Sequence, residues 1–185
     1  MSTPSYIARP TRNGYAGIYV HFDGGPSSKL PLLLAAFQHR FRQDLEAMTR
    51  HLVDDVAIGW EELGSDLLDG APPEIVAALT DGEHWPSRTL DNLVTPDGSP
   101  PTRMTVTETT AADQDLEWVY VLRPGGIEVI PAQHYASGPF IGWDTDPRTD
   151  FTNPAAWRPG TSASAAQPPS PAASAPSTSR AVARR

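Results

Sequence analysis

Residues 30–52 carry a row of apolar side chains that constrains the fold more than any other part of the chain. Pro31 fits the first turn of a helix, where its missing N–H needs no partner. Beyond it, large apolar residues recur every three or four positions, at Leu33, Leu34, Phe37, Phe41, Leu45, Met48 and Leu52. This spacing places them on one face of an α-helix. The sequence therefore predicts one long amphipathic helix over about 28–52.

A strand precedes this helix. Residues 14–22 are rich in aromatic and β-branched side chains and lack helical spacing. Glycines and a proline at 24–26 then break the strand. Further strands are predicted near 103–109, 116–122 and 127–131, and the Pro-Gly-Gly run at 124–126 predicts a hairpin between the last two.

These elements predict an α+β fold. We expect a small antiparallel sheet, with strands near 14–22, 103–109, 116–122 and 127–131, packed against the long helix over about 28–52 and a shorter helix over about 72–80. We expect three regions along the chain. Residues 1–13 form a flexible lead, residues 14–160 a single α+β domain, and residues 161–185 a disordered Ala/Pro/Ser tail with almost nothing to bury.

Composition excludes several classes of function. The chain has no cysteine, which rules out disulfides, thiolate zinc sites and thiol nucleophiles. Its 22 acidic residues exceed its 14 basic ones, so broad nucleic-acid binding is not expected. Neither an apolar leader in residues 1–13 nor a run of about 20 apolar residues is present, and a membrane span is therefore not predicted. We expect a cytoplasmic location.

His21 and Asp23 are the candidate catalytic residues. They lie two positions apart at the end of the first predicted strand, so both side chains should share one face. A neutral imidazole and a carboxylate there can bind a metal or act as a base and its orienter. The alternative is structural, with Asp23 accepting N–H groups of the turn. Since no histidine or carboxylate stands at a spacing that supplies a third ligand, we predict no metal and no cofactor.

The same junction is a candidate anion site. Gly24, Gly25, Ser27 and Ser28 lead into a helix N-terminus, where backbone N–H groups and the helix dipole favour negative charge. The order of residues is not that of a Walker loop, and the Asp23 carboxylate would repel an anion. An ordinary strand-to-helix turn is the alternative.

An acidic, aromatic cluster at Trp60, Glu61 and Glu62 is a candidate docking surface for a basic protein partner. The alternative is a solvated face. The edge of the hairpin over 116–130 offers a second way to bind a partner, by addition of a strand.

The junction also carries a resemblance to a known family. Tyr19-x-His21-Phe22-Asp23-Gly24-x-Pro26, followed by a leucine-rich helix, is similar to a signature of uncharacterised bacterial and phage proteins, many of them encoded by mobile elements. Actinobacterial members resemble the chain further, at 52–55, at 59–60 and in the 118–130 hairpin. The resemblance covers most of residues 14–130. It implies that the chain has relatives in this family, and it implies no activity.

Three functional hypotheses follow, from different classes. The first is a non-catalytic binding or regulatory module, an accessory protein of a mobile element that docks to another protein. The alternative is a small metal-dependent or His/Asp-dependent hydrolase centred on His21 and Asp23. Sequestration of a small ligand or nucleotide at the strand-to-helix turn is a third reading.

Overall fold

A computed structural model describes residues 3–91, 99, 101–111, 117–132 and 138–157. Eight strands of this part of the chain form one mixed sheet: β1 (Ser5–Thr11), β2 (Gly14–Val20), β3 (Gly59–Glu62), β4 (Arg88–Thr89), β5 (Val106–Thr107), β6 (Trp118–Arg123), β7 (Gly126–Pro131) and β8 (Phe140–Gly142). Their order is β4-β3-β2-β1-β6-β7-β8, and β5 pairs with β2.

Four α-helices accompany the sheet in the described residues: α1 (Pro26–Ala35), α2 (Leu45–Thr49), α3 (Pro73–Thr80) and α4 (Glu108–Ala111). A π-helical turn continues α1 over Ala36–Arg40, and another continues α2 over Arg50–Asp54. Two 3₁₀ turns lie at Ser65–Leu68 and Pro154–Trp157. The helix at Pro73–Thr80 lies where the sequence predicts the shorter helix.

The prediction of a small antiparallel sheet is wrong. β1 pairs in parallel with β6, and β2 pairs in parallel with β3, so the sheet is mixed. Its central strand, β1, comes from residues assigned above to the N-terminal lead. Ser5 to Ala8 are buried on both faces of the sheet, because β2 and β6 flank them and side chains cover them from both sides.

The prediction of one long helix over about 28–52 is also wrong. The chain leaves helical geometry at Arg42 and Gln43, whose φ angles of 50° and 65° lie in the left-handed region. The Asp44 carboxylate then accepts the Ala47 N–H at 2.9 Å and caps a new helix, α2. The apolar spacing continues across this break because both helices bury the same side. Spacing alone therefore did not distinguish one helix from two.

The strand predicted over 103–109 is much shorter than expected. β5 contains only Val106 and Thr107, and the chain continues as α4 from Glu108. The hairpin of β6 and β7 closes at Arg123 and Gly126, as the turn signal indicated. The predicted tail over 161–185 lies outside the described residues.

The two faces of the sheet have separate cores. On the helical face, Ile7, Ile18, Val20, Tyr120 and Leu122 pack under α1 and α2. The opposite face carries a smaller cluster that includes Tyr6, Ala8, Tyr15, Val119 and Val121. Alternation along each strand assigns neighbouring residues to different faces. Within the described ranges, every helix is too short or too polar to cross a membrane.

Candidate functional site

The strand-to-helix junction begins as an extension of β2. The His21 N–H donates to the Trp60 carbonyl at 2.9 Å, and the Phe22 N–H donates to the Glu61 carbonyl at 3.0 Å. Asp23 ends this extended run with a left-handed φ of 53°, a conformation that Asp tolerates better than most residues. The strand alternation predicted for His21 and Asp23 is therefore interrupted between the two residues.

Gly24 fixes the junction against the sheet. Its N–H donates to the Thr3 carbonyl at 2.9 Å, and its carbonyl accepts the buried Tyr120 hydroxyl at 2.6 Å. A Cβ atom at this position would lie 2.3 Å from the Thr3 oxygen, so only glycine fits. The N–H of Gly24 is already bonded. Of the four anion-site candidates, this residue has no free donor to offer.

A cavity of about 330 Å³ lies between the start of α1, the segment after β3, and α3. Its polar lining includes Asp23, Ser27, Ser28 and Lys29. Asp23 and the two serines are exposed, so the cavity reaches the surface beside them. The remaining wall is mainly apolar and includes Leu32, Leu63, Leu68, Ala78, Leu79 and Trp85. The cavity thus combines polar and apolar lining residues.

Lys29 is the unusual residue of this lining. Its side chain is buried, with 2% of the residue exposed, and its ammonium donates to the Phe22 carbonyl at 2.9 Å. Burial lowers the pKa of Lys29 from 10.5 to about 8, although the nearby carboxylates of Asp23 and Glu62 oppose that shift. A large share of this amine is therefore neutral at a mildly alkaline pH.

His21 lies in a different setting. Its Nδ1 is 2.8 Å from the Tyr19 hydroxyl, and its ring packs against Phe22 at 4.4 Å between centroids. Tyr19 packs against the cluster on the opposite face of the sheet. Asp23 lines the cavity, whereas His21 is not among the residues that line it. The structure thus does not bring both candidate catalytic side chains into this cavity.

The other anion-site candidates have mixed roles. The Gly25 carbonyl accepts the N–H groups of Ser28 and Lys29, which starts α1. Ser27 and Ser28 are exposed at the cavity mouth. No side chain caps the N-terminus of α1. Two of the four candidates therefore lie where a ligand in the cavity can meet them.

The docking candidates are divided between core and surface. Trp60 is 5% exposed, and its indole N–H donates to the Leu52 carbonyl at 2.9 Å. Its ring is part of the core under the helices and is not available to a partner in this fold. Glu61 and Glu62 are half-buried and form ion pairs with Arg88 at 3.2 and 2.9 Å. Their charge is thus partly neutralised within the chain.

The remaining histidines lie apart from the cavity lining or outside the described residues. His39 and His51 are half-buried on the π-helical turns. His84 is exposed, and its Nδ1 lies 2.8 Å from the Ser65 hydroxyl, which also accepts the Trp85 N–H. His134 lies outside the described residues. Across the described ranges, no group of three or more His, Asp or Glu side chains is arranged to hold a metal ion.

Lys29 is not among the site residues that the sequence motifs predict. One compositional signal was available, because Lys29 is the only lysine among 185 residues, while 13 of the 14 basic residues are arginines. The burial of that lysine could not be predicted from the sequence. Burial depends on α3 and on the segment after β3, both distant in the chain.

Comparisons of the chain with protein-family models, with curated proteins and with solved structures find no match.

Proposed function

We propose that the protein is a non-catalytic binding module that holds a small ligand in the cavity beside Lys29. The observation that carries the proposal is the cavity itself, whose lining combines the buried Lys29 and the exposed Ser27 and Ser28 with leucine and tryptophan residues. Pockets that bind small molecules have this combination of an apolar wall and a few placed polar groups.

The size and position of the cavity support this proposal. A volume of about 330 Å³ lies at the lower end of the range for ligand pockets. It opens where a strand passes into a helix, beside side chains that three separate segments supply. A ligand held there would contact α1 and α3 together.

The proposed partner is therefore a small molecule with an apolar body. The protein partner and the mobile-element role stay predictions, as do the cytoplasmic location and the hydrolase alternative centred on His21 and Asp23. The Tyr19 hydroxyl at His21 Nδ1 gives that histidine a structural role as a hydrogen-bond partner.

A plug variant tests the binding proposal. Ala78 is exposed and lines the cavity, so Ala78→Trp should fill it without disturbing the core. Ala77→Trp is the matched control, because Ala77 is its exposed neighbour on α3 and does not line the cavity. The probe is 3-phenylpropanol, and the readout is the methyl NMR shifts of Leu63, Leu68 and Leu79.

We expect the probe to shift these methyl resonances in the wild-type protein and in Ala77→Trp, but not in Ala78→Trp. His21→Ala should leave the shifts as they are in the wild type. If the probe shifts none of the three leucines, or shifts them equally in the plug variant, the cavity is not a binding site.

A further inference from the structure

The chain uses lysine and arginine in different places. Every arginine in the described ranges is exposed or half-buried, for example Arg42, Arg88 and Arg148. The one lysine of the full sequence is buried in the lining of the cavity. A cation needed only on the surface is thus arginine throughout this part of the chain. Lysine has one chemical property at this position that arginine lacks.

That property is the ability to lose a proton. A guanidinium stays charged at every physiological pH and offers no lone pair, whereas an amine becomes a nucleophile when it is neutral. Burial favours the neutral form of Lys29. At pH 7, its neutral fraction exceeds that of an ordinary lysine by a factor on the order of a hundred. The hydrogen bond to the Phe22 carbonyl holds the nitrogen in place.

Local charge argues against an anionic ligand. The carboxylate of Asp23 lines the cavity, and the carboxylates of Asp23 and Glu62 both act on Lys29. They offset the charge of a protonated Lys29, with Asp23 acting more strongly than Glu62, which also pairs with Arg88 at 2.9 Å. An anion in the cavity would meet this negative charge without a second buried cation in the lining. A neutral carbonyl group meets no such repulsion, and its apolar body suits Leu63, Leu79 and Trp85.

We propose that Lys29 Nζ binds an aldehyde or ketone as a Schiff base, with the apolar body of the ligand in the cavity. This inference rests on the proposed binding function and names its ligand class. The nitrogen lone pair attacks the carbonyl carbon, and one N–H proton passes to the carbonyl oxygen to give the carbinolamine. The C–O bond then breaks, the hydroxyl leaves as water with the second N–H proton, and the nitrogen lone pair forms the C=N bond of the neutral imine. Hydrolysis reverses each step, so the ligand is released unchanged.

Reductive trapping tests the proposal on the full chain. The protein is incubated at pH 7 with 3-phenylpropanal and sodium cyanoborohydride, which converts an imine to a stable secondary amine. Because the chain has no cysteine and one lysine, the N-terminal amine is the other reactive amine, and peptide mass spectrometry distinguishes the two. Free Nα-acetyl-lysine at the same pH serves as the reference amine.

We expect Lys29 to be labelled at least about tenfold faster than the reference amine, because more of it is neutral. Ala78→Trp should lose this labelling, while Ala77→Trp and His21→Ala keep it. Labelling of Lys29 that is no faster than the reference, or that persists in the plug variant, would overturn the proposal. Lys29→Arg should carry an adduct only at the N-terminus.

The two proposals fail in different ways. If 3-phenylpropanol shifts the cavity methyl groups while 3-phenylpropanal leaves Lys29 unlabelled, the cavity binds ligands without imine chemistry. If the carboxylate probe 3-phenylpropanoate binds more tightly than the alcohol, Lys29 acts as a charge and the imine inference is wrong. Absence of all binding overturns the proposed function as well.

Discussion

Where β2 meets α1, the polar side chains on the two faces of the sheet differ in their hydrogen-bond partners and in their surroundings. On the opposite face, Tyr19 and His21 lie side by side, and the hydroxyl of one bonds the ring of the other. On the helical face, the Lys29 ammonium donates from α1 to the Phe22 carbonyl, and Lys29 also lines the cavity. Tyr19 and His21, which are two residues apart in the sequence, thus bond each other. The lysine instead lies beside a cavity, because separate segments meet around it.

This contrast is the reason that we place the proposed ligand site at the cavity and not at His21. His21 and Asp23 are predicted as candidate catalytic residues because they are close in sequence. The cavity depends on α1, α3 and the segment between β3 and α3, which approach one another only in the folded chain.

The largest expected effect concerns the two cores. Leu122 and Val121 are adjacent on β6, both almost fully buried, and they point to the helical and opposite faces respectively. Leu122→Ala should lower the free energy of unfolding by about 2–5 kcal/mol, and Val121→Ala by about 1–3 kcal/mol. Urea denaturation measures both. If Val121→Ala costs nothing measurable, the opposite face is not a core.

At alkaline pH, Lys29 and the buried tyrosines should change the free energy of unfolding in opposite directions. The folded-state pKa of Lys29, about 8, lies below its unfolded value of 10.5, so the unfolded chain binds more protons between these values. The free energy of unfolding should therefore rise by about 2 kcal/mol from pH 8 to pH 10. Burial raises the pKa values of Tyr6, Tyr19 and Tyr120.

Above pH 10, these tyrosines reverse the trend, because they ionise in the unfolded chain while the folded chain keeps their protons. Stability should then fall. Urea titrations at half-unit pH steps measure the profile. Lys29→Met should remove the rise and keep the fall. A rise that is unchanged in Lys29→Met would show that another group causes it.

Two tyrosine hydroxyls give a smaller pair of effects. Tyr120→Phe removes the donor to the buried Gly24 carbonyl and should cost about 1–2 kcal/mol in the free energy of unfolding. Tyr19→Phe removes the partner of half-buried His21, which water can replace, and should cost about 0.5–1 kcal/mol. Thermal and urea unfolding compare the two variants. If both variants lose the same free energy of unfolding, the two hydroxyl contacts stabilise the fold equally, which contradicts this prediction.

Local pattern predicted part of this fold and little of the site. The strands β2, β6 and β7, which are rich in aromatic and β-branched residues, and the short helix at Pro73–Thr80 are readable from sequence, because each depends on nearby residues. β1 was not predicted because Arg9 is charged and Pro10 lacks an N–H for strand pairing, and its place between β2 and β6 comes from distant pairings.

The break in the long helix depends on two left-handed residues, Arg42 and Gln43, that no propensity favours there. Asp44 was a readable capping residue, but the unbroken apolar spacing outweighed it.

The sequence predicts site residues at the strand-to-helix junction, and Asp23, Ser27 and Ser28 of that set line the cavity. Two key facts, that Trp60 is core and that Lys29 is buried, both required the tertiary structure.

The most direct test is an NMR titration of the single lysine. In protein grown with carbon-13-labelled lysine, the side-chain Cε resonance reports one residue, because the sequence contains no other lysine. The desolvated amine beside the cavity should titrate with a midpoint at about 8. A midpoint near 10.5, the ordinary value for lysine, would show that water reaches Lys29 freely and would contradict the account.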